Sequence, residues 1–354
     1  MESLYNKYRP RQFSDILGND TLIEIIKGKI LKGNFPHVCL FSGSPGNGKT
    51  TTARIIAKAL NCPNRKAGEP CNNCQSCKSA DSESNLNIEE INAGIENKVA
   101  DMEELLSKSA YAPIQNGKRV MILDECHRMA GAAQSCLLKI LEDTPEHIYF
   151  LLCTSEPRSM GEAIQSRSAQ FRFNAPSHDD KFWALKDIAQ AENIGISDDC
   201  LRMLIRNSDG MRETIQLLDQ CQDLAEITPE KLADLLGDIP ENQLLGLILA
   251  IAQRDIDKIL LLSEEIFKAK LAPDQIGHRF LSFYKEILRL KISQAEAPKN
   301  LQPIIKAYDL GKLEKHFRIL MQFSKAPSYQ AQNWLECLIL SLAYESDFSL
   351  EGIY

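Results

Sequence analysis

A segment near the N-terminus has the residue types and spacing of a phosphate-binding loop. Gly43-Ser44-Pro45-Gly46-Asn47-Gly48-Lys49-Thr50 fits the pattern G-x-x-x-x-G-K-[ST]. Its glycines let backbone N–H groups surround phosphate oxygens where a β-carbon would intrude. In such loops the lysine contacts the β- and γ-phosphates and the hydroxyl binds Mg²⁺. We predict that this segment, with Thr51, binds a nucleoside triphosphate, that Lys49 is catalytic and that Thr50 is a magnesium ligand.

The residues on both sides of the loop have the required context. The apolar residues Val38-Cys39-Leu40-Phe41 predict a strand before it, and residues 51–60 carry apolar side chains at helical spacing after it. The N-terminus of that helix adds a partial positive charge at the phosphate site. A chance match in a turn before a helix is the alternative, and the flanking elements disfavour it.

A pair of acids ends a second apolar segment. Asp124 and Glu125 follow the apolar residues 120–123, which suit a parallel strand buried on both faces. The carboxyl ends of such strands are where open α/β sheets bind ligands. Asp124 would hold Mg²⁺ and Glu125 would polarise the attacking water as a general base. Taken alone, a solvated acidic turn is the better interpretation, but the upstream phosphate loop favours a nucleotide site.

Four cysteines lie within sixteen residues: Cys62, Cys71, Cys74 and Cys77. Four thiolates can form a closed tetrahedral Zn²⁺ site, which leaves no position for a substrate, so the predicted site is structural. Pro63, Gly68 and Pro70 predict turns rather than regular structure here. Free thiols in a loop and an iron–sulfur cluster are the alternatives.

The remaining pattern predicts an α/β domain followed by helices. Further strands are predicted at residues 86–91, 149–155 and 171–173, with helices at 21–31, 99–109 and 133–142. Thr154 and Ser155 end one of these strands, where a hydroxyl can contact the γ-phosphate, although such hydroxyls more often cap the next element.

Breaks near residues 174–177 and 237–240 divide the chain into three predicted domains. These are a parallel-sheet domain at 1–176, with a zinc module at about 62–77, a small helical domain at 177–238 and an all-helical domain at 239–354. Helix-like residues from Leu244 to Ile251 are apolar on nearly every side, as in a helix buried by neighbours or partner chains.

The composition limits where the protein works. With 354 residues, 44% hydrophobic and 25% charged, the chain is typical of soluble globular proteins. Its net charge of −7 gives no general attraction to nucleic acid, so DNA contacts would need a local patch. The start lacks an apolar signal segment, and the longest apolar run, at residues 244–252, is too short to span a membrane. We therefore expect a cytoplasmic protein with reduced cysteines and no membrane partner.

The order of these features resembles the gamma/tau subunits of bacterial DNA polymerase III clamp loaders, which are AAA+ ATPases. The similarity covers residues 1 to about 240. Its most specific feature is the four-cysteine insertion, which ordinary AAA+ proteins lack. It also rests on Tyr8-Arg9-Pro10, Asp124-Glu125-Cys126-His127, Gly210-Met211-Arg212 and Ser166-Arg167-Ser168, where the family has Ser-Arg-Cys.

The resemblance implies further site residues. Tyr8, Arg9 and Pro10 would lie near the adenine, and Thr154 or Ser155 would be sensor 1. Arg212 would contact the ATP of its own subunit from the lid, as the family's sensor 2 arginine does.

Three more residues are implied to face other molecules. Arg167 would act catalytically on the ATP of a neighbouring subunit, and Lys98 and Lys139 fall near positions that look toward DNA. The cofactors would be ATP, Mg²⁺ and Zn²⁺.

The resemblance also implies the activity and partners. The three predicted domains would be an ATPase domain, a lid and a collar. ATP binding would order a ring made with further copies of the chain and other clamp-loader subunits. The ring would open a sliding clamp, and hydrolysis triggered by primer–template DNA would release it. The chain ends at Tyr354, so a tau-type tail is not expected.

Two other functions are considered. Another AAA+ DNA motor, such as a branch-migration helicase, is disfavoured by the cysteine insertion. An assembly subunit that binds nucleotide without turnover is disfavoured by the intact Lys49, Asp124, Glu125 and Arg167.

Overall fold

The computed structural model describes residues 3–94, 111–114, 117–142, 144–224, 226–268, 273–293, 298, 301–323 and 331–345. The chain forms two compact units, Met1–Glu226 and Ile227–Tyr354. The first unit contains the α/β part and three further helices, and the second is helical throughout its described residues. The predicted division into ATPase, lid and collar domains at residues 176 and 238 remains a prediction.

The first unit is built on a five-stranded sheet in the order β2-β3-β4-β1-β5. Its strands are β1 Val38–Ser42, β2 Ile88–Asn92, β3 Arg119–Asp124, β4 Ile148–Thr154 and β5 Ala169–Arg172. Every neighbouring pair is parallel. The predicted α/β AAA+ fold is confirmed by this sheet and by the helices around it.

Helices cover the sheet and continue beyond it. They are α1 Leu4–Lys7, α2 Asp20–Leu31, α3 Lys49–Asn61, α4 Gln75–Asp81, α5 Gly131–Glu142, α6 Glu162–Arg167, α7 His178–Ala191, α8 Asp198–Arg206 and α9 Met211–Cys221. Helix α7 begins at a capping box, because Ser177 and Asp180 exchange side-chain and backbone hydrogen bonds. The helix predicted at residues 99–109 and Lys98 lie outside the described residues.

The strands are apolar on consecutive positions because both faces of the sheet are covered. Cys39 and Phe41 pack into one core with α2 and α3. Val38 and Leu40, on the alternate positions of the same strand, pack into a second core with α5. All seven residues of β4 are buried. This burial is the two-faced pattern expected of a parallel sheet.

The topology brings the predicted chemistry to one edge of the sheet. The phosphate loop follows β1, Asp124 ends β3 and Thr154 ends β4. Strand β4 lies between β1 and β3, with Ser42 paired to Thr154. Because parallel strands end at the same edge, three segments that are distant in sequence meet there.

The second unit consists of helices α10 Pro229–Leu236, α11 Glu241–Gln253, α12 Ile256–Lys268, α13 Pro273–Ser293, α14 Gln302–Ala307, α15 Leu310–Phe323 and α16 Ala331–Tyr344. Leu244, Leu247, Ile248 and Ile251 of α11 are buried in its core, so neighbouring helices supply the burial that the apolar sequence predicted.

The core of the second unit includes a buried polar cluster. The hydroxyl of Tyr284 lies 2.7 Å from that of Tyr308 and 2.9 Å from Nδ1 of His316.

Among the described residues, no single helix is long and apolar enough to cross a membrane. The pair α10 and α11 reaches that length only together and is bent by 89° between its halves.

Candidate functional site

The phosphate loop has backbone geometry that excludes side chains at two points. Gly43 has φ 151°, and a β-carbon there would lie 2.4 Å from the carbonyl oxygen of Phe173. Gly46 has φ 77°, and its β-carbon would lie 3.0 Å from Cα of Gly210. Both positions therefore need glycine. The loop is held against Phe173, the residue after β5, on one side and against the segment that opens α9 on the other.

Lys49 is the first residue of α3 and its side chain folds back over the loop. The ammonium group donates to the carbonyl oxygens of Gly43 at 2.8 Å and Ser44 at 2.9 Å. Burial lowers the pKa of Lys49, and the carboxylates of Asp124 and Glu125 oppose that effect. A desolvated cation beside a loop of backbone N–H groups suits a bound polyphosphate.

Thr50 and Asp124 form the predicted magnesium pair. The Thr50 hydroxyl donates to Oδ2 of Asp124 at 2.9 Å, joining the start of α3 to the end of β3. A hydroxyl and a carboxylate are oxygen ligands of the kind that Mg²⁺ takes beside nucleotide phosphates. These two residues fit the ion.

Glu125 leaves the strand in a left-handed conformation with φ 53°. Its backbone N–H donates to Oδ1 of Asp124 at 3.0 Å. Such a conformation is strained for a residue with a side chain and tends to occur at functional sites. It turns Glu125 away from the direction of β3 while keeping it next to the magnesium pair.

His127 connects Glu125 to the predicted sensor 1 position. Its Nε2 lies 3.2 Å from Oε2 of Glu125 and 3.4 Å from the hydroxyl of Ser155. Its Nδ1 lies 3.4 Å from the hydroxyl of buried Thr154. Both candidate hydroxyls therefore contact the same ring. The sequence alone did not predict a role for His127, although its place two residues after Glu125 was a usable signal.

A cavity of about 890 Å³ lies beside the loop. Its walls come from residues 5–12 and 15–17, from 45–51, from Asp124 and Glu125, and from α7 and the start of α9. It thus includes the predicted Tyr8, Arg9, Pro10 and Arg212. Gly43, Ser44, Thr154, Ser155 and Arg167 are not part of the described lining.

The N-terminal segment joins the loop to α9 through aromatic and cationic side chains. The guanidinium groups of Arg9 and Arg212 lie 5.9 Å and 4.9 Å from the centre of the Tyr5 ring. Nε of Arg9 donates to the Thr51 hydroxyl at 3.4 Å. Burial and nearby Arg54 lower the pKa of Arg9. Tyr5 was not predicted, because one aromatic residue has no sequence signal without its three-dimensional neighbours.

Arg167 lies away from this cavity. It ends α6, immediately before β5, and its Nη2 is 2.9 Å from Oε1 of Glu142 at the surface. Ala169 pairs with Cys39 near the start of β1, whereas the phosphate loop follows the end of β1. Arg167 therefore lies toward the opposite end of the strands from the loop, although β5 is the direct neighbour of β1 in the sheet.

The four predicted zinc ligands converge on one point. Their Sγ atoms lie within 4.8 Å of one another, with 3.9 Å between Cys62 and Cys74 and 4.0 Å between Cys71 and Cys77. Zn–S bonds of about 2.3 Å in a tetrahedron require sulfur atoms about 3.8 Å apart. The thiols therefore fit a structural Zn²⁺.

The prediction that this insertion contains only turns is wrong. Turns extend to Cys74, but Gln75–Asp81 is helical and includes Cys77. The physical reason is a helix cap, because Sγ of Cys74 accepts a hydrogen bond from the Cys77 backbone N–H at 3.4 Å.

Comparison with known proteins finds similarity to DNA polymerase III subunits. A family model described as "DNA polymerase III, delta subunit" matches residues 18–177. The DNA polymerase III subunit gamma of Buchnera aphidicola subsp. Acyrthosiphon pisum is 32% identical over 287 residues, which cover 80% of each chain. The DNA polymerase III subunit gamma/tau of Mycoplasma pneumoniae is 38% identical over 233 residues, covering 66% of this chain and 34% of the relative.

Other matches differ in length or are remote. The chain spans less than half the length of several relatives that it matches. Among solved structures, the Holliday junction branch migration motor RuvB of Thermotoga maritima has a TM-score of 0.48 at 18% identity, over 69% of this chain and 79% of that one.

Proposed function

This chain belongs to the gamma/tau family of DNA polymerase III subunits, and from that premise we propose that it is an ATP-hydrolysing subunit of a sliding-clamp loader. The observation that carries the proposal is the single cavity in which the phosphate loop, Asp124, Glu125 and Arg212 meet. Phosphate binding, metal binding, water activation and a lid contact each have a residue there.

The chain's own groups divide the work on ATP. Backbone N–H groups of the loop at residues 43–51, Pro45 excepted, would bind the phosphates. The Lys49 ammonium would move from the Gly43 and Ser44 carbonyls to the β- and γ-phosphate oxygens. Thr50 and Asp124 would hold Mg²⁺, which when bound would supply positive charge to offset that of the phosphates. Tyr8, Arg9 and Pro10, which line the cavity, would contact the adenine.

Water activation falls to Glu125. Its carboxylate accepts a proton from the water that attacks the γ-phosphorus, as the water oxygen forms the new bond and ADP leaves. His127 positions this carboxylate relative to Thr154 and Ser155, one of which would sense the γ-phosphate. Arg212 carries the state of the nucleotide to the helix α9 on which it lies.

The proposed activity requires assembly with other subunits. The helical second unit joins further copies and other clamp-loader subunits into a cytoplasmic ring, and Arg167 completes the ATP site of a neighbour. The ring opens a sliding clamp, and hydrolysis on primer–template DNA releases it. Lys139 is exposed on α5 and, with Lys98, would face the DNA. The zinc module is structural.

An ATPase assay on the assembled complex tests this proposal. Turnover should rise when both a sliding clamp and primer–template DNA are present. A branch-migration motor would respond to DNA without the clamp, and a subunit that only binds nucleotide would show no turnover attributable to this chain.

Lys49→Ala assigns the activity to this site. The variant should lose turnover and keep its fold, whereas Lys32→Ala, which removes an exposed lysine after α2, should retain turnover. Near-normal steady-state hydrolysis by Lys49→Ala would refute the site.

A further inference from the structure

The turn between Cys62 and Cys71 contains Glu69, whose carboxylate accepts hydrogen bonds from a segment that lines the nucleotide cavity. Oε2 of Glu69 accepts a hydrogen bond from the backbone N–H of Phe13 at 2.7 Å, and Oε1 accepts one from Ser14 at 3.2 Å. Oε1 also lies 2.8 Å from Nζ of Lys27. One carboxylate therefore satisfies two amides of a short 3-10 turn, Phe13–Asp15, and one ammonium group.

The segment that Glu69 holds forms part of the cavity. Arg11 and Gln12 precede the 3-10 turn, and Ile16 and Leu17 follow it, and all four line the cavity. Phe13 itself is buried in the core beside the sheet. Because the turn has few residues, its two amides need an external acceptor to keep this path. Glu69 is that acceptor among the described residues.

The position of Glu69 depends on the cysteine loop. Lys66 and Glu69 exchange backbone hydrogen bonds across Ala67 and Gly68, both of which have positive φ. Gly68 packs so closely on α2 that a β-carbon would lie 3.1 Å from the Lys27 carbonyl oxygen. Cys62 and Cys71 close this turn, and the Cys71 N–H donates to Sγ of Cys62 at 3.3 Å.

The four-cysteine module, taken as residues 62–81 so that it includes helix α4, contacts the nucleotide site at two more places. Asn72, between two of the cysteines, lines the cavity. Asp81 of α4 lies 2.7 Å from Nζ of Lys58, which is 4% exposed and belongs to α3, the helix that the phosphate loop opens. The four-cysteine module thus contacts the N-terminal wall, the cavity and the phosphate-loop helix.

We propose that the four-cysteine module is a working part of the nucleotide site, with Glu69 as the positioning residue that couples metal occupancy to nucleotide binding. This inference rests on the proposed nucleotide-binding function. Coupling between two sites is reciprocal, so if bound metal favours nucleotide, bound nucleotide must retain the metal.

Nucleotide affinity is the first measurement. Binding of a fluorescent ADP analogue to the full chain should be about tenfold weaker in Glu69→Ala, within the 5–150-fold range typical of such coupling. Zinc content should stay equal to that of wild type, since the four ligands are intact. Glu24→Ala removes an exposed acid on the neighbouring helix α2 and leaves Glu69 and its contacts intact, so it should bind as wild type does.

Zinc affinity, measured by competition with a metallochromic chelator, is the second measurement. At equilibrium with the chelator, saturating ADP should raise the zinc affinity of wild type several-fold and should have little effect on that of Glu69→Ala. Circular dichroism verifies that each variant is folded, and Glu69→Gln, which keeps one acceptor oxygen, should recover part of the affinity.

The possible results are separable. A wild-type chain that binds no nucleotide would refute the proposed function itself. A wild-type chain that binds normally, with Glu69→Ala binding equally well or with zinc affinity indifferent to ADP, would overturn the coupling alone.

Discussion

Nε2 of His127 lies 3.2 Å from Oε2 of Glu125, in a ring that also reaches the hydroxyls of Thr154 and Ser155. The histidine side chain is only 11% exposed. It therefore fixes the direction of the predicted general base relative to the predicted sensor 1 hydroxyls at the end of β4. A contact of this kind orients a catalytic group without touching the substrate.

Replacing this ring should impair turnover more than binding. His127→Phe keeps the ring shape but removes the hydrogen bonds, so we expect kcat to fall about tenfold to hundredfold, since a misplaced general base loses part of its 10²–10⁴-fold contribution. The affinity for a fluorescent ADP analogue should stay within about twofold, because the phosphate loop is unchanged. Single-turnover hydrolysis and equilibrium binding measure the two effects.

Two control variants show whether the effect at His127 comes from its lost hydrogen bonds or merely from replacing a histidine by phenylalanine. His127→Gln retains a polar atom and should recover part of the rate, and His178→Phe alters an exposed histidine at the start of α7 and should be silent. Wild-type kcat in His127→Phe would show that Glu125 needs no such support.

The sequence predicted the elements of this site better than their contacts. Strands β1, β3 and β4 and the loop at residues 43–50 follow from local apolar patterns and glycine spacing, which short stretches encode. The approach of Gly210 to Gly46 joins residues far apart in the chain. Nothing in the sequence around either glycine indicates that it contacts the other. The pair is visible only once α9 is placed against the loop in the folded structure.

The same distinction explains what was missed in the cysteine insertion. The spacing of four cysteines was enough to predict a metal site, because ligand number and type are local properties. The Cys74 cap, the helix after it and the contact of Glu69 with Phe13 depend on the folded path of the loop. Proline and glycine content alone indicated only turns.

The purified chain should carry about one Zn²⁺ after metal-replete expression. The sulfur positions fit a tetrahedral site, and structural zinc can contribute roughly 10–16 kcal/mol of apparent binding energy in small modules. Because the surrounding sheet has its own core, chelation should loosen residues 62–81 without unfolding the first unit. Elemental analysis and circular dichroism before and after chelation test both parts.

Cysteine variants provide the matched comparison for zinc. Cys77→Ser should lose the metal, whereas Cys136→Ser, on α5 outside the module, should retain it. A metal-free wild-type protein would refute the site.

His316 should make the second unit less stable in acid. Burial lowers the pKa of this imidazole to about 4, and nearby Lys312, Arg254 and Lys315 act in the same direction while Glu345 opposes them. In the unfolded chain the pKa is about 6.5. The unfolded state therefore binds a proton first, and stability falls as the pH drops from about 6.5 toward about 4. The loss attributable to His316 should approach about 3 kcal/mol.

Urea unfolding followed by tryptophan fluorescence measures this loss. The chain has two tryptophans, so Trp183→Phe leaves Trp334 to report on the second unit. Between pH 7 and pH 4.5, the midpoint should fall more in this background than in the same background with His316→Gln. Parallel pH dependence in the two proteins would show that His316 does not titrate as inferred.

Arg167 should act on the nucleotide of a neighbouring subunit. The side chain is 41% exposed, and it lies before β5, at the opposite end of the strands from its own phosphate loop. An arginine finger supplied to another site contributes about 10³–10⁵ in rate where it has been measured. In contrast, a surface ion pair such as that with Glu142 is worth little by itself.

Two single substitutions distinguish these roles. Arg167→Ala should keep ATP binding and lose DNA-stimulated hydrolysis in the assembled complex. Glu142→Gln breaks the same surface pair but leaves the guanidinium available, so it should hydrolyse ATP at nearly the wild-type rate.

The decisive experiment mixes Arg167→Ala with Lys49→Ala subunits in one assembly. Neither variant should turn over ATP alone, because each pure assembly lacks one component at every junction. At a mixed junction, an intact Lys49 from the first variant and an intact Arg167 from the second can form a complete site, so activity should return in proportion to the number of such junctions. If assemblies shown to contain both subunits side by side stay as inactive as the pure ones, Arg167 does not act on its neighbour's nucleotide.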